Sequence, residues 1–248
     1  VTDLLFRDDA YLQRASATVV AATQTTPRDG SAPLPALVLD RTIFYFESGG
    51  QPGDTGALVW PGGSANILDT RKDRESGAIL HVLAADSVLP HAGETVEIAL
   101  DWPRRYLHMR YHTALHLICA ALPGILATGN SIDTTKARID FDLSGVEFDR
   151  DATEARLNAL IGGNHDVTTQ WITDEDMAAQ PELVRTMSVA PPTGAGRVRL
   201  LRIGDSVDLQ PCGGTHVRNT GEIGAVKIVK VENKGKQNRR LVIQLTGG

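Results

Sequence analysis

The chain has 248 residues, 42% hydrophobic and 22% charged, with a formal net charge of -5. That composition is ordinary for a folded globular protein and excludes disordered and collagen-like classes. The net acidity by itself speaks against a nucleic-acid partner unless positive charge is locally concentrated.

The N-terminal part reads as β-rich. Ala17 to Thr23, Ala36 to Phe46, Ala78 to Leu83 and Thr95 to Leu100 are β-favouring runs. Turn-rich segments separate them: Thr26 to Gly30, Ser48 to Gly56, and Pro61 to Gly63. Short strands punctuated by Gly and Pro predict a small barrel. The character changes at Asp101. Pro103 to Leu122 is helical, with Pro in the first turn where its fixed φ is tolerated, and Pro123-Gly124 ends it. Lys136 to Leu143 alternates polar and apolar residues, predicting a strand with one wet face that carries Asp140 and Asp142 as solvated acids. A second helix is expected from Ala152 to Ile161, stopped at Gly162-Gly163. Strands follow at Val167 to Ile172, Arg197 to Ile203 and Gly224 to Val231. The expected fold class is α+β, with a β-barrel domain over 1–98 and an α+β domain over 99–248.

The most apolar stretch, Ala114 to Ala127, is too short to span a bilayer and contains His116, Pro123 and Gly124. The start of the chain carries acids and no apolar signal core. Two cysteines, Cys119 and Cys212, are too few for a disulfide framework. A cytoplasmic protein without membrane contact is expected, and no obligate protein partner is evident.

Chemistry concentrates at two places. His112 and His116, four apart on the helix, share one face roughly 6 Å apart, so both imidazoles can reach one ion. Far downstream, Cys212-Gly213-Gly214-Thr215-His216 offers a thiolate and an imidazole around two permissive glycines. Three imidazoles and a thiolate suit Zn2+. His108 continues the four-residue period, and spacing alone does not choose between 108/112 and 112/116; one ion cannot easily take His108 and His116, roughly 12 Å apart. Cys119 lies among apolar neighbours and reads as core.

The segment Gln210 to Gly224, with Cys-Gly-Gly-Thr-His-Val and Thr-Gly-Glu-Ile-Gly, resembles the hallmark of the alanyl-tRNA synthetase editing domain. His112-Thr113-Ala114-Leu115-His116-Leu117 matches that family's other metal motif, and Gly49 to Gly56 resembles its glycine-rich motif. No room remains for a domain that activates alanine. The chain therefore looks like the free-standing AlaX editing proteins of medium length. The resemblance implies metal ligation by His112, His116, Cys212 and His216, leaving His108 outside. It also implies trans-hydrolysis of the aminoacyl ester of tRNA(Ala) mischarged with serine or glycine. Threonyl-type editing domains, deacylases of another tRNA, and a tRNA-binding module with structural zinc are the competing readings. One departure is Ser48, which follows Glu47 where the motif has glycine.

Four ligands sit awkwardly with catalytic zinc, which usually has three and an open position. The general base stays unassigned: Thr113 stands where zinc proteases place Glu, and a ribose hydroxyl of the tRNA is the remaining candidate. Selecting serine needs a polar partner for its hydroxyl. Gln51, Thr128, Asn130, Thr134 and Thr135 are candidates, together with Gly213, Gly214 and Thr215 of the metal motif. For tRNA, Lys227, Lys230, Lys234, Lys236, Arg239 and Arg240 oppose only Glu232 near the C-terminus, and Arg104, Arg105 and Arg110 cluster on the helix. Lys234, Lys236, Arg239 and Arg240 are the chosen phosphate contacts; a lysine-protected strand edge is the competing account.

Overall fold

The structure is a computed structural model and describes residues 1–143, 147–184, 196–234 and 238–246. It comprises two compact units, one of 1–48 with 52–106 and another of 49–51 with 107–248. The division falls inside the first long helix, later than the compositional step near 98, and the short segment Gly49–Gln51 groups with the second unit.

In the first unit, β1 (Asp3–Leu4) pairs in parallel with β4 (Arg41–Thr42). The remaining strands are β2 (Arg14–Thr25), β3 (Leu34–Leu39), β5 (Gly56–Trp60), β6 (Gly63–Lys72), β7 (Ile79–Leu83) and β8 (Thr95–Leu100). They close into a barrel in the order β2-β3-β7-β6-β5-β8. Alternate residues point inward, and Val19, Leu37, Leu39, Leu58, Ile67 and Ile98 form its core. The run expected as one strand over 36–46 breaks after Leu39. Asp40 makes backbone and side-chain bonds to Thr18, and the chain turns into β4.

Two polar features lie inside this unit. His81, on β7, is wholly buried; its Nδ1–H donates to the Leu37 carbonyl at 3.0 Å, so Nε2 accepts from the Thr42 hydroxyl at 2.8 Å. Burial lowers its pKa to about 4, against the weaker opposing pull of the Leu37 carbonyl. Asp54, in the glycine-rich segment, forms a buried ion pair with Arg105, which also donates to the Ala10 and Ile43 carbonyls.

The long helix α1 (Trp102–Ala121) starts where the Asp101 carboxylate accepts from the Arg104 N–H, an N-cap that satisfies one of the orphan donors of the first turn. It ends before Gly124, whose φ of +80° suits glycine. Further along are β9 (Ala127–Ile132), β10 (Ala137–Asp142), α2 (Arg150–Gly162), β11 (Val167–Thr173), α3 (Asp174–Ala178), β12 (Arg197–Ile203), β13 (Asp208–Pro211), β14 (Ala225–Lys234) and β15 (Asn238–Thr246). They form a four-stranded sheet β14-β15-β10-β9 and a three-stranded antiparallel sheet β11-β12-β13. Asn158 and Glu154 of α2 bond the backbone of β14 at Val226 and Ile228, so the helix covers part of that sheet edge. Under the smaller sheet, Met177, Leu183, Val198 and Leu200 make a separate core. Among the described residues no helix is long and apolar enough to cross a membrane.

The expectation of two wet acids on β10 needs correction. Asp140 is 7% exposed and accepts from Arg240 at 2.8 Å through both oxygens and from Arg138 at 2.9 Å. The period-two pattern is blind to a buried acid paired with arginine on the neighbouring strand.

Candidate metal centre

His112 and His116 project from one face of α1, and Cys212 and His216 come from the loop after β13. One ligand atom from each lies within 4.8 Å of all the others. The Cys212 Sγ is 3.6 Å from His112 Nε2 and 3.2 Å from His216 Nε2. His108, 1% exposed, stands outside this group. Cys119 is a buried free cysteine in the core.

The hydrogen bonds around the rings fix their tautomers. The Thr113 hydroxyl donates its one proton to the Met109 carbonyl at 2.9 Å, so it can only accept from His216 Nδ1–H at 3.2 Å. Gln51 accepts the Thr215 N–H through Oε1 at 3.2 Å and donates from Nε2 to the Thr215 hydroxyl at 2.8 Å, which settles the amide's orientation. The same Oε1 therefore accepts from His112 Nδ1–H at 2.8 Å. Asp208 accepts from His116 Nδ1–H at 3.1 Å. All three Nδ1 atoms carry protons, so with neutral rings each Nε2 keeps its lone pair, and those of His112 and His216 face the sulfur. That is the arrangement seen when outer hydrogen bonds orient histidine ligands.

Electrostatics agree with a site built for a cation. The Cys212 thiol is held well below its ordinary range: burial opposes ionisation, but His112, His216 and His116 together outweigh it. Burial works against charge on His116, yet the Cys212 thiolate and Asp208 push its pKa up to about 10. For His216 burial dominates and lowers the pKa to about 3, despite the attraction of Cys212. The donor set of three neutral imidazole nitrogens and one thiolate fits a tetrahedral, borderline-soft dication.

Local structure explains the loop. Arg199, on β12, donates to the carbonyls of Cys212 (3.0 Å) and Gly214 (2.9 Å), and the Cys212 N–H returns to Arg199 O at 3.0 Å. The Val217 N–H reaches the Thr113 hydroxyl at 3.3 Å, joining loop to helix. Gly214 is required by space: a Cβ there would overlap the His112 ring, whereas one on Gly213 meets nothing within 4 Å. In the glycine-rich segment the left-handed residues are Gly49 (φ 57°) and Gly50 (φ 84°). Ser48 needs no such angle, so its departure from the motif leaves the turn intact.

The other predicted residues divide. Gln51 and Thr215 are fully buried and bonded to each other, bracing His112. Asn130 lies on β9 beside Gly50, its side-chain oxygen buried with no hydrogen-bond partner among the described residues. Thr128 donates to Asn238, while Thr134 and Thr135 bond Asp133 in the turn after β9. Of the basic residues, Lys234 is exposed and 3.6 Å from Glu232, and Arg239 is half-buried. Arg240 is committed to Asp140. Lys236 lies outside the described residues. On the helix, Arg105 is enclosed with Asp54, and Arg110 donates to the Ile223 carbonyl. Arg105 therefore works inside the protein and is not part of a surface charge cluster, while Arg110 is half-buried.

Sequence reasoning missed Asp208, Thr113 and Arg199 as supports of the cluster. Asp208, Gln210 and Cys212 follow the two-residue period of one strand face, and Gln210 bonds Asp208 at 2.7 Å; that period was the available signal. Thr113 sits inside the helix motif itself. Nothing local in the sequence pointed to Arg199.

The chain matches the class of domains found in alanyl- and threonyl-tRNA synthetases. Residues 198–242 match the family described as "Threonyl and Alanyl tRNA synthetase second additional domain", and residues 10–104 match "tRNA synthetases class II (A)". The chain is 36% identical to an alanyl-tRNA editing protein AlaX-M of Methanosarcina barkeri, covering 99% of both chains. It is 32% identical to AlaX-M of Saccharolobus solfataricus over 97% of this chain and 98% of that one. It also aligns, at 32% identity, with 25% of the alanine–tRNA ligase of Pyrobaculum arsenaticum. The chain belongs to the AlaX-M family of alanyl-tRNA editing proteins.

Proposed function

We propose that this protein is a trans-acting hydrolase that removes serine, and secondarily glycine, from mischarged tRNA(Ala) at a zinc site formed by His112, His116, Cys212 and His216. The observation that carries the reading is the set of three tautomer-fixed imidazoles around one thiolate, in a chain with full-length relatives named alanyl-tRNA editing proteins. Zinc, when bound, supplies positive charge that polarises the ester carbonyl or orients the aminoacyl end. Gln51, Thr113 and Asp208 hold the imidazoles in place. The cytoplasm, where tRNA is charged, is the compartment this activity requires.

Asn130 is the residue we assign to selecting serine. Its buried oxygen would accept the serine hydroxyl, and alanine would leave it without a partner, a difference that disfavours the correct product. Thr113 has no proton to take up or give, since its hydroxyl already bridges Met109 and His216. A tRNA ribose hydroxyl is therefore the group we assign to assist water. Lys234 and Arg239 remain candidates for tRNA phosphates.

The test is deacylation of Ser-tRNA(Ala), Gly-tRNA(Ala) and Ala-tRNA(Ala), with and without chelator. Serine-charged tRNA should be cleared, alanine-charged tRNA should survive, and chelation should abolish turnover. Cleavage of Thr- or other aminoacyl-tRNAs in preference to Ser-tRNA(Ala) would assign the chain another substrate. Tight tRNA binding with no hydrolysis would make the zinc structural. Equal rates on 2′- or 3′-deoxy-terminated substrates would remove the ribose hydroxyl from the mechanism.

A further inference from the structure

The three-stranded sheet carries a row of side chains that leads away from the metal cluster. Trp171 on β11 is paired with Arg199 on β12, and Arg199 is in turn bonded to Cys212 just past β13. Paired residues of antiparallel strands project to the same face. Trp171, Arg199 and Cys212 therefore line one face in order. At about 4.8 Å between strands, the indole-bearing strand lies roughly 10 Å from the strand of the thiolate.

Two further observations mark the Trp171 end as a binding surface. The indole is 37% exposed, although large aromatics are usually hidden, and it sits on a strand that pairs only with β12 among the described residues. The Arg197 guanidinium lies over its ring, 4.4 Å from the centroid. Aromatic rings and guanidinium planes both stack nucleobases without reading their identity, and the Arg197–Trp171 pair presents one of each. The opposite face of the same sheet packs on the apolar cluster of Met177, Leu183, Val198 and Leu200, so the row itself is not needed for that core.

We propose that Trp171 and Arg197 form the stacking platform for the 3′-terminal base of the aminoacylated tRNA. The proposal rests on the editing reading above, because it places the base one nucleotide's reach from the cluster where the ester is cleaved. Trp171 is a positioning residue: it orients the terminal nucleotide and touches no reacting atom. Arg197 adds positive charge beside the terminal phosphodiester. A stacked base contributes about 1–3 kcal/mol, that is, a change of about 5- to 150-fold in binding.

The experiment uses the intact protein with Ser-tRNA(Ala), and with the same tRNA carrying an abasic 3′-terminal nucleotide. Trp171→Ala should raise KM about 10-fold while kcat stays within about twofold, and Trp171→Phe should restore most of the loss. The abasic substrate should show a similar rise in KM with the wild type and no additional rise with Trp171→Ala. Unchanged KM in Trp171→Ala, or an abasic penalty undiminished in that variant, overturns the platform while leaving editing in place. A wild type inactive on every aminoacyl-tRNA would instead overturn the editing reading. In that case quenching of tryptophan emission by an RNA oligonucleotide ending in CCA, compared between the wild type and Trp171→Ala, decides the platform separately. Quenching that disappears with an abasic end supports it, and no quenching rejects it.

Discussion

Gln51 is the most informative single position, because it joins the glycine-rich segment to the His/Cys cluster. Its Oε1 accepts from His112 Nδ1–H and from the Thr215 N–H, and its Nε2 donates to the Thr215 hydroxyl, all fully buried. Gln51→Leu keeps the volume but leaves two buried N–H donors without an acceptor. Each orphaned donor costs about 1–3 kcal/mol, and the added apolar surface offsets about 1 kcal/mol, so a net loss of about 3 kcal/mol is expected. Release of the His112 ring should also weaken metal binding by about 10- to 100-fold. Gln51→Glu keeps an acceptor for both donors and should retain most of the metal affinity. Urea unfolding of metal-free protein measures the first quantity, and competition against a chromogenic zinc chelator measures the second. If Gln51→Leu matched the wild type in both, the idea that the glycine-rich segment braces His112 would be wrong.

Gly214→Ala should weaken zinc or cobalt binding strongly, because its methyl group would overlap the buried His112 ring, while Gly213→Ala should leave affinity unchanged; isothermal titration of the two variants separates them. His81 is neutral when buried and its pKa lies at about 4 against 6.5 in the unfolded chain. The unfolded chain therefore takes up a proton first as pH falls, so the His81 contribution is complete above pH 6.5 and is lost between 6.5 and 4. It amounts to about 3 kcal/mol. Imidazole NMR should find His81 uncharged at pH 5, and titration near 6.5 would contradict the buried assignment. Arg240→Gln should destabilise the second unit by about 2 kcal/mol through the loss of its bidentate bond to the largely buried Asp140. Because that arginine is engaged, the salt dependence of tRNA binding should respond more to Lys234→Ala than to Arg240→Gln, which filter binding at several salt concentrations would measure.

Much of this protein was legible in the sequence because its signals are local or carried by motif. Four of the six barrel strands, the α1 helix and its stop at Pro123-Gly124 follow from turn residues and periodicity, whereas β5 and β6, set among Gly- and Pro-rich turns, were not among the expected runs. The cluster followed from two short motifs whose residues are close enough to share a face or a loop. What escaped was long-range. Asp140 alternates like a wet residue and becomes buried only because Arg240, on the partner strand, neutralises it. Arg105 looks like surface charge on a helix until Asp54, from the glycine-rich segment, is found against it. The outer supports Gln51, Asp208 and Arg199 come from different strands and loops, and their roles depend on register. Trp171 is an ordinary strand aromatic until pairing with Arg199 puts it in line with Cys212.

In the proposed function, a metal ion held by these four residues is needed to hydrolyse the mischarged ester. The decisive measurement is Ser-tRNA(Ala) deacylation after zinc is stripped from the purified protein with a chelator and again after the ion is restored. Protein as purified should carry about one equivalent of zinc, lose all turnover when it is removed and recover on re-addition, and Cys212→Ala should neither bind the ion nor turn over. Full deacylation by protein shown to contain no metal would contradict it.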